Sequence, residues 1–349
     1  MIDNVELREG GANDSNCGDV SCGGSIYIGD AATVTINQSR LTYNRADDGR
    51  GAGIFVRGTL NVYFSSIDNN KSHWGGGIYA EDAVVNVYNS SIAENIGRKW
   101  GGAVYAEGGE INIYNSTIPN NSGYEEAGGI YTDTPTTLVN VTFGYNYTRE
   151  GKVASIYLAS ETAPLYLYNT LLIEAAVAHC RDGFGTVIVI NSLADDTSCP
   201  NTTSTTSYSI VDFSPKDNGG PTETFALLEG NLAIDAGDNA ICEAAPINGL
   251  DQRGSLRPAW GTCDIGAYEF EDDAVCQAAP INNVDQRGLA RSQGAASDIG
   301  AVEMQMSELG GTAVSLSNSL SSSNLTLFAI LGGMMFLGIA GVVIRQRQA

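Results

Sequence analysis

The segment Gly75-Gly-Gly-Ile-Tyr-Ala80 decides the fold, because the chain repeats it. Versions of it stand at Gly23–Ile28 (GGSIYI), Gly51–Val56 (GAGIFV), Gly101–Ala106 (GGAVYA), Ala127–Thr132 (AGGIYT) and Val153–Leu158 (VASIYL). The first apolar residue of each is Ile26, Ile54, Ile78, Val104, Ile130 and Ile156, at steps of 28, 24, 26, 26 and 26 residues. A fixed period in this range marks a solenoid. Within the motif, Ile78 and Ala80 share one face of a strand and Tyr79 takes the other. The apolar set faces a core. The alternate set is Tyr27, Phe55, Tyr79, Tyr105, Tyr131 and Tyr157, which parallel stacking would place in an outward column at about 4.8 Å per step.

Two further segments follow in each repeat. Val34/Ile36, Leu60/Val62, Val85/Val87, Ile111/Ile113 and Leu165/Leu167 alternate with polar or aromatic residues. Next comes apolar-x-x-Asn: Leu41–Asn44, Ile67–Asn70, Ile92–Asn95, Ile118–Asn121 and Phe143–Asn146. The apolar residue plugs the core. The Asn suits a left-handed turn and a hydrogen bond to its counterpart in the neighbouring coil. Three short strands per coil, with no helical period between them, predict an all-β fold: a right-handed single-stranded parallel β-helix. A βαβ fold would need a helical pattern between strands, and a propeller blade a longer repeat.

The pairing of GG-x-I with F-x-x-N resembles the repeat of polymorphic outer-membrane proteins and related β-helix surface proteins, over roughly residues 20–175. Phe143-Gly-Tyr-Asn146 fits the second tetrapeptide in full; other copies use Ile or Leu for Phe. The resemblance implies an extracellular β-helix used in adhesion or surface display. The family's C-terminal outer-membrane barrel has no counterpart in the sequence.

The chain of 349 residues carries 40 acidic and 18 basic residues, a formal charge of −22. Such a surface repels nucleic acid and anionic lipid and attracts Ca²⁺. The seven cysteines include no CxxC pair, which argues against zinc. Cys17/Cys22, Cys180/Cys199 and Cys242/Cys263 are each local in sequence and read as loop-closing disulfides in an oxidising compartment, with Cys276 left over. Met1 leads directly into strand-like sequence with no signal peptide, so the true N-terminus is expected to lie upstream.

Several features of the solenoid, residues 1–215, invite a functional reading. Trp74 and Trp100 occupy equivalent places in adjacent coils, in a column with Arg50, Glu126 and Lys152. With Tyr79, Tyr105 and Tyr131 they form a candidate sugar-binding surface, or simply packing over a turn. A second partial column holds Tyr63, Tyr88, Tyr114 and Tyr168. Glu81, Glu107 and Asp133 recur three residues past the anchor and would repel unless screened, so a calcium ion bridging them is one expectation and a solvated turn the other. For a polysaccharide lyase, Glu81/Glu107 with Arg98 and Lys99 is the nearest arrangement. For a hydrolase, Asp47-Asp48 and Asp195-Asp196 are pairs without a matching partner. No catalytic residue is assigned. The sequons at Asn89 and Asn115 arise from the repeat.

Residues 216–304 hold a 34-residue unit twice. Cys242, Asp251-Gln-Arg-Gly254 and Asp264-Ile-Gly-Ala267 recur as Cys276, Asp285-Gln-Arg-Gly288 and Asp298-Ile-Gly-Ala301, and Ser297 stands where Cys263 would. The stretch resembles the choice-of-anchor (Q type) module of bacterial surface β-helix proteins, through AIDAGDN, DQRG-x-x-R-P and CDIGAYE; the second copy is shorter than a full module. Asp251, Arg253, Arg257, Asp264 and Glu269 are expected to form structural ion pairs and to cap the open end of the solenoid. Residues 305–324 read as a flexible Ser/Gly linker. Residues 325–344 are uncharged and long enough for one transmembrane helix, and Arg345 and Arg347 in the tail, 345–349, place that end in the cytoplasm. The expectation is a single-pass cell-surface protein that binds surface glycans or host or neighbour-cell proteins. The alternatives are a surface polysaccharide lyase or glycoside hydrolase, and a structural spacer.

Overall fold

A computed structural model describes residues 1–11, 23–151, 153–175, 177–181, 185–204, 214–259 and 261–271. The repeats stack in parallel and in register. Ile54, Ile78, Val104, Ile130 and Ile156 are successive partners in a first wall. A second wall aligns Val34, Leu60, Val85, Ile111, Thr136, Leu165 and Val187. A third wall aligns Leu7, Leu41, Ile67 and Ile92 and continues through Ile118, Phe143 and Leu172. The inward residues of these walls form one apolar core along the axis, almost all without solvent contact.

Where three strands per coil were expected, the structure has four. Arg45–Arg50, Lys71–Trp74, Ile96–Trp100, Ser122–Gly123 and Tyr147–Thr148 form a fourth parallel wall. Its inward positions are small (Ala46, Ser72, Gly97 and Gly123), so the sequence shows no apolar alternation there. The repeat's paired glycines lie where this wall turns into the first. Gly75 has φ +61°, and a Cβ on Gly77 would sit 2.6 Å from the Ala103 carbonyl oxygen in the next coil. Only glycine meets the first demand without strain, and only a coil stacked this closely makes the second.

The turn between third and fourth walls carries the expected asparagine ladder. Asn44, Asn70, Asn95, Asn121 and Asn146 are buried, each at 1 % exposure or less. The Asn70 side chain donates to Asn95 Oδ1 at 3.0 Å, and its backbone N–H donates to the same oxygen at 3.0 Å. Asn95 repeats this onto Asn121, and Asn121 onto Asn146. The left-handed residue is the one before each ladder Asn, not the Asn itself: φ is +55° at Tyr43, Asn69 and Glu94. A second ladder, unforeseen, runs through Ser39, Ser65, Ser90 and Ser116. Each of the first three donates its backbone N–H to the hydroxyl of the next.

Disulfides join Cys180 to Cys199 and Cys242 to Cys263; Cys17, Cys22 and Cys276 lie outside the described residues. So do the second 34-residue copy, 276–303, and the apolar stretch 325–344. Among the described residues no helix is long and apolar enough to cross a membrane.

Residues 214–271 form two of the expected ion pairs, but Asp264 accepts backbone amides of Asp235 and Phe270 in place of an arginine, and the module does not cap an end. Arg253 pairs with Asp251 at 2.8 Å and Arg257 with Glu269 at 3.0 Å, all buried. This module lies along the flank, on the turn between second and third walls. Asn115 Nδ2 donates to the Leu250 carbonyl at 2.8 Å and Asn89 Nδ2 to that of Asp251 at 3.3 Å. Thr117 Oγ1 donates to Gln252 Oε1 at 2.6 Å, and the Ala267 and Asp238 amides donate to Thr142 and Asn169. Phe225, Leu227, Ala233 and Ile265 cover Leu171, Ile173 and Leu193 of the third wall. The flank wins because its outward residues there are apolar and its turn asparagines offer amides to the module's loop carbonyls. The sequons at Asn89 and Asn115 are therefore engaged by the protein itself.

Asn95→Ala removes a rung: it orphans the buried Asn70 N–H and takes one of two partners from the Asn70 side-chain amide and from the Ile67 carbonyl, which accepts from Asn95 Nδ2 at 2.8 Å. At about 1–3 kcal/mol per orphaned group, the loss should be about 3 kcal/mol, read by denaturant unfolding. In the module, burial first and the neighbouring Glu269 second push the Asp264 carboxyl up to about 7. A carboxyl raised in the folded state contributes stability that is present below its ordinary range and lost as pH rises through about 7. By NMR, the buried Asp264–Glu269 pair should accordingly show a carboxyl that titrates well above an exposed aspartate.

Candidate ligand-binding face

The rings expected in an outward column do point away from the core. Tyr79, Tyr105, Tyr131 and Tyr157 stack at centroid distances of 5.0, 4.9 and 4.9 Å, within 10° of parallel. Phe55 meets Tyr79 edge to face at 5.1 Å. The column is not open to solvent, however. Phe55 and Tyr79 are 1 % exposed and Tyr105 8 %. Trp74 and Trp100, half-buried, fold over it from the end of the fourth wall, where they are register partners. Trp100 lies parallel to Tyr131 at 5.0 Å. The Arg50 guanidinium sits 4.9 Å from the Tyr79 centroid and 5.7 Å from that of Trp74. These side chains form a second small core outside the first, and ring faces inside it are taken by other rings or by cations. Tyr27, 48 % exposed, is the open end of the column.

Glu81 and Glu107 are register partners, as the spacing implies. Their charge is met by Arg50 and Arg57, neither of which the sequence assigns to them. Arg57 Nη2 donates to Glu81 Oε1 at 2.9 Å, and Arg50 Nη1 to Glu81 Oε2 at 3.4 Å. Arg50 also lies 4.0 Å from Glu107, which accepts from the Tyr79 and Tyr105 hydroxyls. Asp133 stands apart and caps the Gly108 amide at 2.9 Å. The calcium column expected of Glu81, Glu107 and Asp133 is thus replaced by an Arg–Glu–Tyr network. Among the described residues no three His, Cys, Asp or Glu side chains group to hold a metal. The lyase arrangement also comes apart. Arg98 pairs with Asp47 at 2.7 Å, and Lys99 Nζ lies 4.4 Å from the Trp100 centroid, between the two indoles. Beside the network, Asp30, Arg57, Glu81 and Asp82 line an open notch of about 460 Å³.

The second tyrosine column is shorter than expected. Tyr63, Tyr88 and Tyr114 stack at 4.7 and 5.1 Å, 6° from parallel, but Val139 separates Tyr114 from Tyr168. Asn61, Asn86 and Asn112 run beside it as an amide ladder.

One constellation escaped the sequence reading because its members are far apart in the chain. The Ser155 hydroxyl lies 2.8 Å from His179 Nδ1, and His179 Nε2 lies 2.5 Å from Asp195 Oδ1. The residue types are those of a nucleophile triad, but Ser155 is 1 % exposed and His179 0 %. A nucleophile must reach its substrate. This chain instead ties the last coils together, with Asp195 also capping the Glu174 amide and Asp196 that of His179. Burial opposes the ionisation of Asp196, yet bonds from Ser198 and from that amide hold its carboxyl below the usual range.

A protein-family model described as right handed beta helix region matches residues 24–192. This segment is a right-handed parallel β-helix. No curated protein and no solved structure matches the chain. The match runs from the first aromatic repeat to the strand that ends at Ile190, so every side chain of the aromatic and charged face lies inside the β-helix.

Burial, then the neighbouring Glu107 carboxylate, raises the Tyr79 and Tyr105 hydroxyls far above the ordinary tyrosine range, and burial pushes Tyr131 up to about 12. In an alkaline absorbance titration of the native β-helix, a distinct group of tyrosines should stay protonated past pH ~11 and ionise only with unfolding. Ionisation of all tyrosines near pH ~10 would show that the column is open to water.

Proposed function

We propose that this chain is a cell-surface β-helix, tethered by residues 325–344, that binds surface glycans or neighbouring-cell proteins through the face built by Trp74, Trp100, Tyr131, Arg50 and Lys99. The observation that carries the reading is the convergence of two half-exposed indoles, two cations and a carboxylate notch on one sector of the rod. Sugar hydroxyls are well served by fixed charged hydrogen-bonding groups beside an aromatic flank. The surface location is supported by the uncharged 20-residue stretch followed by Arg345 and Arg347, and by the two disulfides.

A second reading, a structural spacer, is favoured by the fact that Tyr79 and Tyr105 spend their ring faces on one another. On that reading the aromatic face stiffens the rod. A lyase or hydrolase is supported less well, because Glu81 and Glu107 are both neutralised by neighbours within the protein.

The test is a glycan array probed with the full chain in detergent micelles, beside Lys99→Ala and Trp74→Ala/Trp100→Ala. Trp substitution also thins the packing over Tyr105, so Lys99→Ala serves as the variant that spares the rings. Binding of a defined glycan class, weakened by Lys99→Ala and abolished in the double variant, is the expected outcome. No binding by the folded wild-type chain would leave the spacer.

A further inference from the structure

The duplicated 34-residue unit has a docking surface for only one of its copies in the described structure, and that surface is periodic. The first copy sits on the turn between second and third walls. It uses the left-handed turn residues Asn89, Asn115 and Asn140 and, in two of these coils, the residue two further on, Thr117 and Thr142. The turn amides donate to the Asp251 and Leu250 carbonyls, and the threonine hydroxyls engage Gln252 and Ala267.

The same track continues toward the N-terminus. Its next positions are Phe64 and Ser66, Gln38 and Arg40, and Asn4 and Glu6. These six, with the intervening Val5 and Ser39, line an open groove of about 520 Å³ closed at one side by Pro221. The groove is therefore the uncovered extension of an interface the molecule already uses. Asn4 and Gln38 offer side-chain amides where Asn89 and Asn115 offer theirs.

We infer that the second copy, residues 276–303, occupies this groove, with Asp285-Gln-Arg-Gly288 against the turn track as Asp251-Gln-Arg-Gly254 is against its own part. Three lines converge on that occupant. The second copy repeats the docking tetrapeptide and the Asp-Ile-Gly-Ala segment residue for residue. The described chain leaves the first copy at the rim of the groove: Glu271 pairs with Arg253 at 3.2 Å, and Arg253 packs on Gly220, next to Pro221. Residues 272–275 then reach about 14 Å when extended, some three coil spacings, which is the length of the free track. The second copy lacks a counterpart of residues 217–231, so it is the smaller unit and the stretch it would cover is the shorter one.

Phe64 is the probe position, since it lines the groove and an aromatic photo-cross-linker replaces it with little change in shape. The full chain carrying benzoylphenylalanine at position 64 is irradiated in detergent and mapped by mass spectrometry. The expected product is an intrachain cross-link to a peptide within 276–303, lost when the same chain also carries Asp285→Lys and Gln286→Ala. Three results would overturn the inference: cross-links only between chains, cross-links only to segments other than 276–303, or no cross-link from a chain whose β-sheet spectrum matches the wild type. None of these bears on glycan binding, because the groove and the tryptophan face lie on different turns of the coil.

Discussion

The rod depends on one buried hydrogen bond repeated along its axis. Each ladder asparagine takes the backbone N–H and the side-chain amide of the previous asparagine on a single oxygen, buried from the surface. A slip of one residue between coils would break both bonds and bury their donors unpaired. Register is thereby fixed from Asn44 to Asn146, and everything on the outside follows from it. Equal register puts Tyr79 over Tyr105, Glu81 over Glu107 and Trp74 beside Trp100, whatever those side chains do next.

What they do next is satisfy one another. Stacking carboxylates at coil spacing is costly, and the sequence places Arg50 and Arg57 one coil earlier, within reach of Glu81. Stacking tyrosines exposes apolar surface, and the indoles close over it. The outward face therefore carries its own small core and its own ion-pair network. What that small core leaves accessible is its rim: Lys99 beside the half-buried indoles, and the notch lined by Asp30, Arg57, Glu81 and Asp82.

Most of the architecture was legible from period alone. The steps between Ile26 and Ile156 gave the coils, alternation gave three walls, and apolar-x-x-Asn gave the ladder. The fourth wall was hidden because its inward positions are Ala, Ser and Gly, which make no hydrophobic pattern. The cover over Tyr79 was hidden for a different reason. Strand alternation says which side of a sheet a ring takes, but not which side chain from the next wall lies on top of it. Arg50 was read in the tryptophan column, where it belongs, yet its reach to Glu81 crosses from one wall to another and leaves no mark in spacing. The module's charged motif was read correctly as structural and placed wrongly. Opposite charges foretell pairing, whereas the place of docking was written in the turn asparagines of a different segment. Ser155, His179 and Asp195 likewise meet only through the stacking of two coils.

The most direct test of the account is native-state hydrogen exchange at the backbone amides of Asn70, Asn95 and Asn121. Each donates to the next side chain in the ladder, so all three should exchange only through global unfolding, with protection matching the stability measured by denaturant. Exchange of these amides at the rate of surface turns would mean that the ladder is not formed, and that the coil register, with the face built upon it, is held by something else.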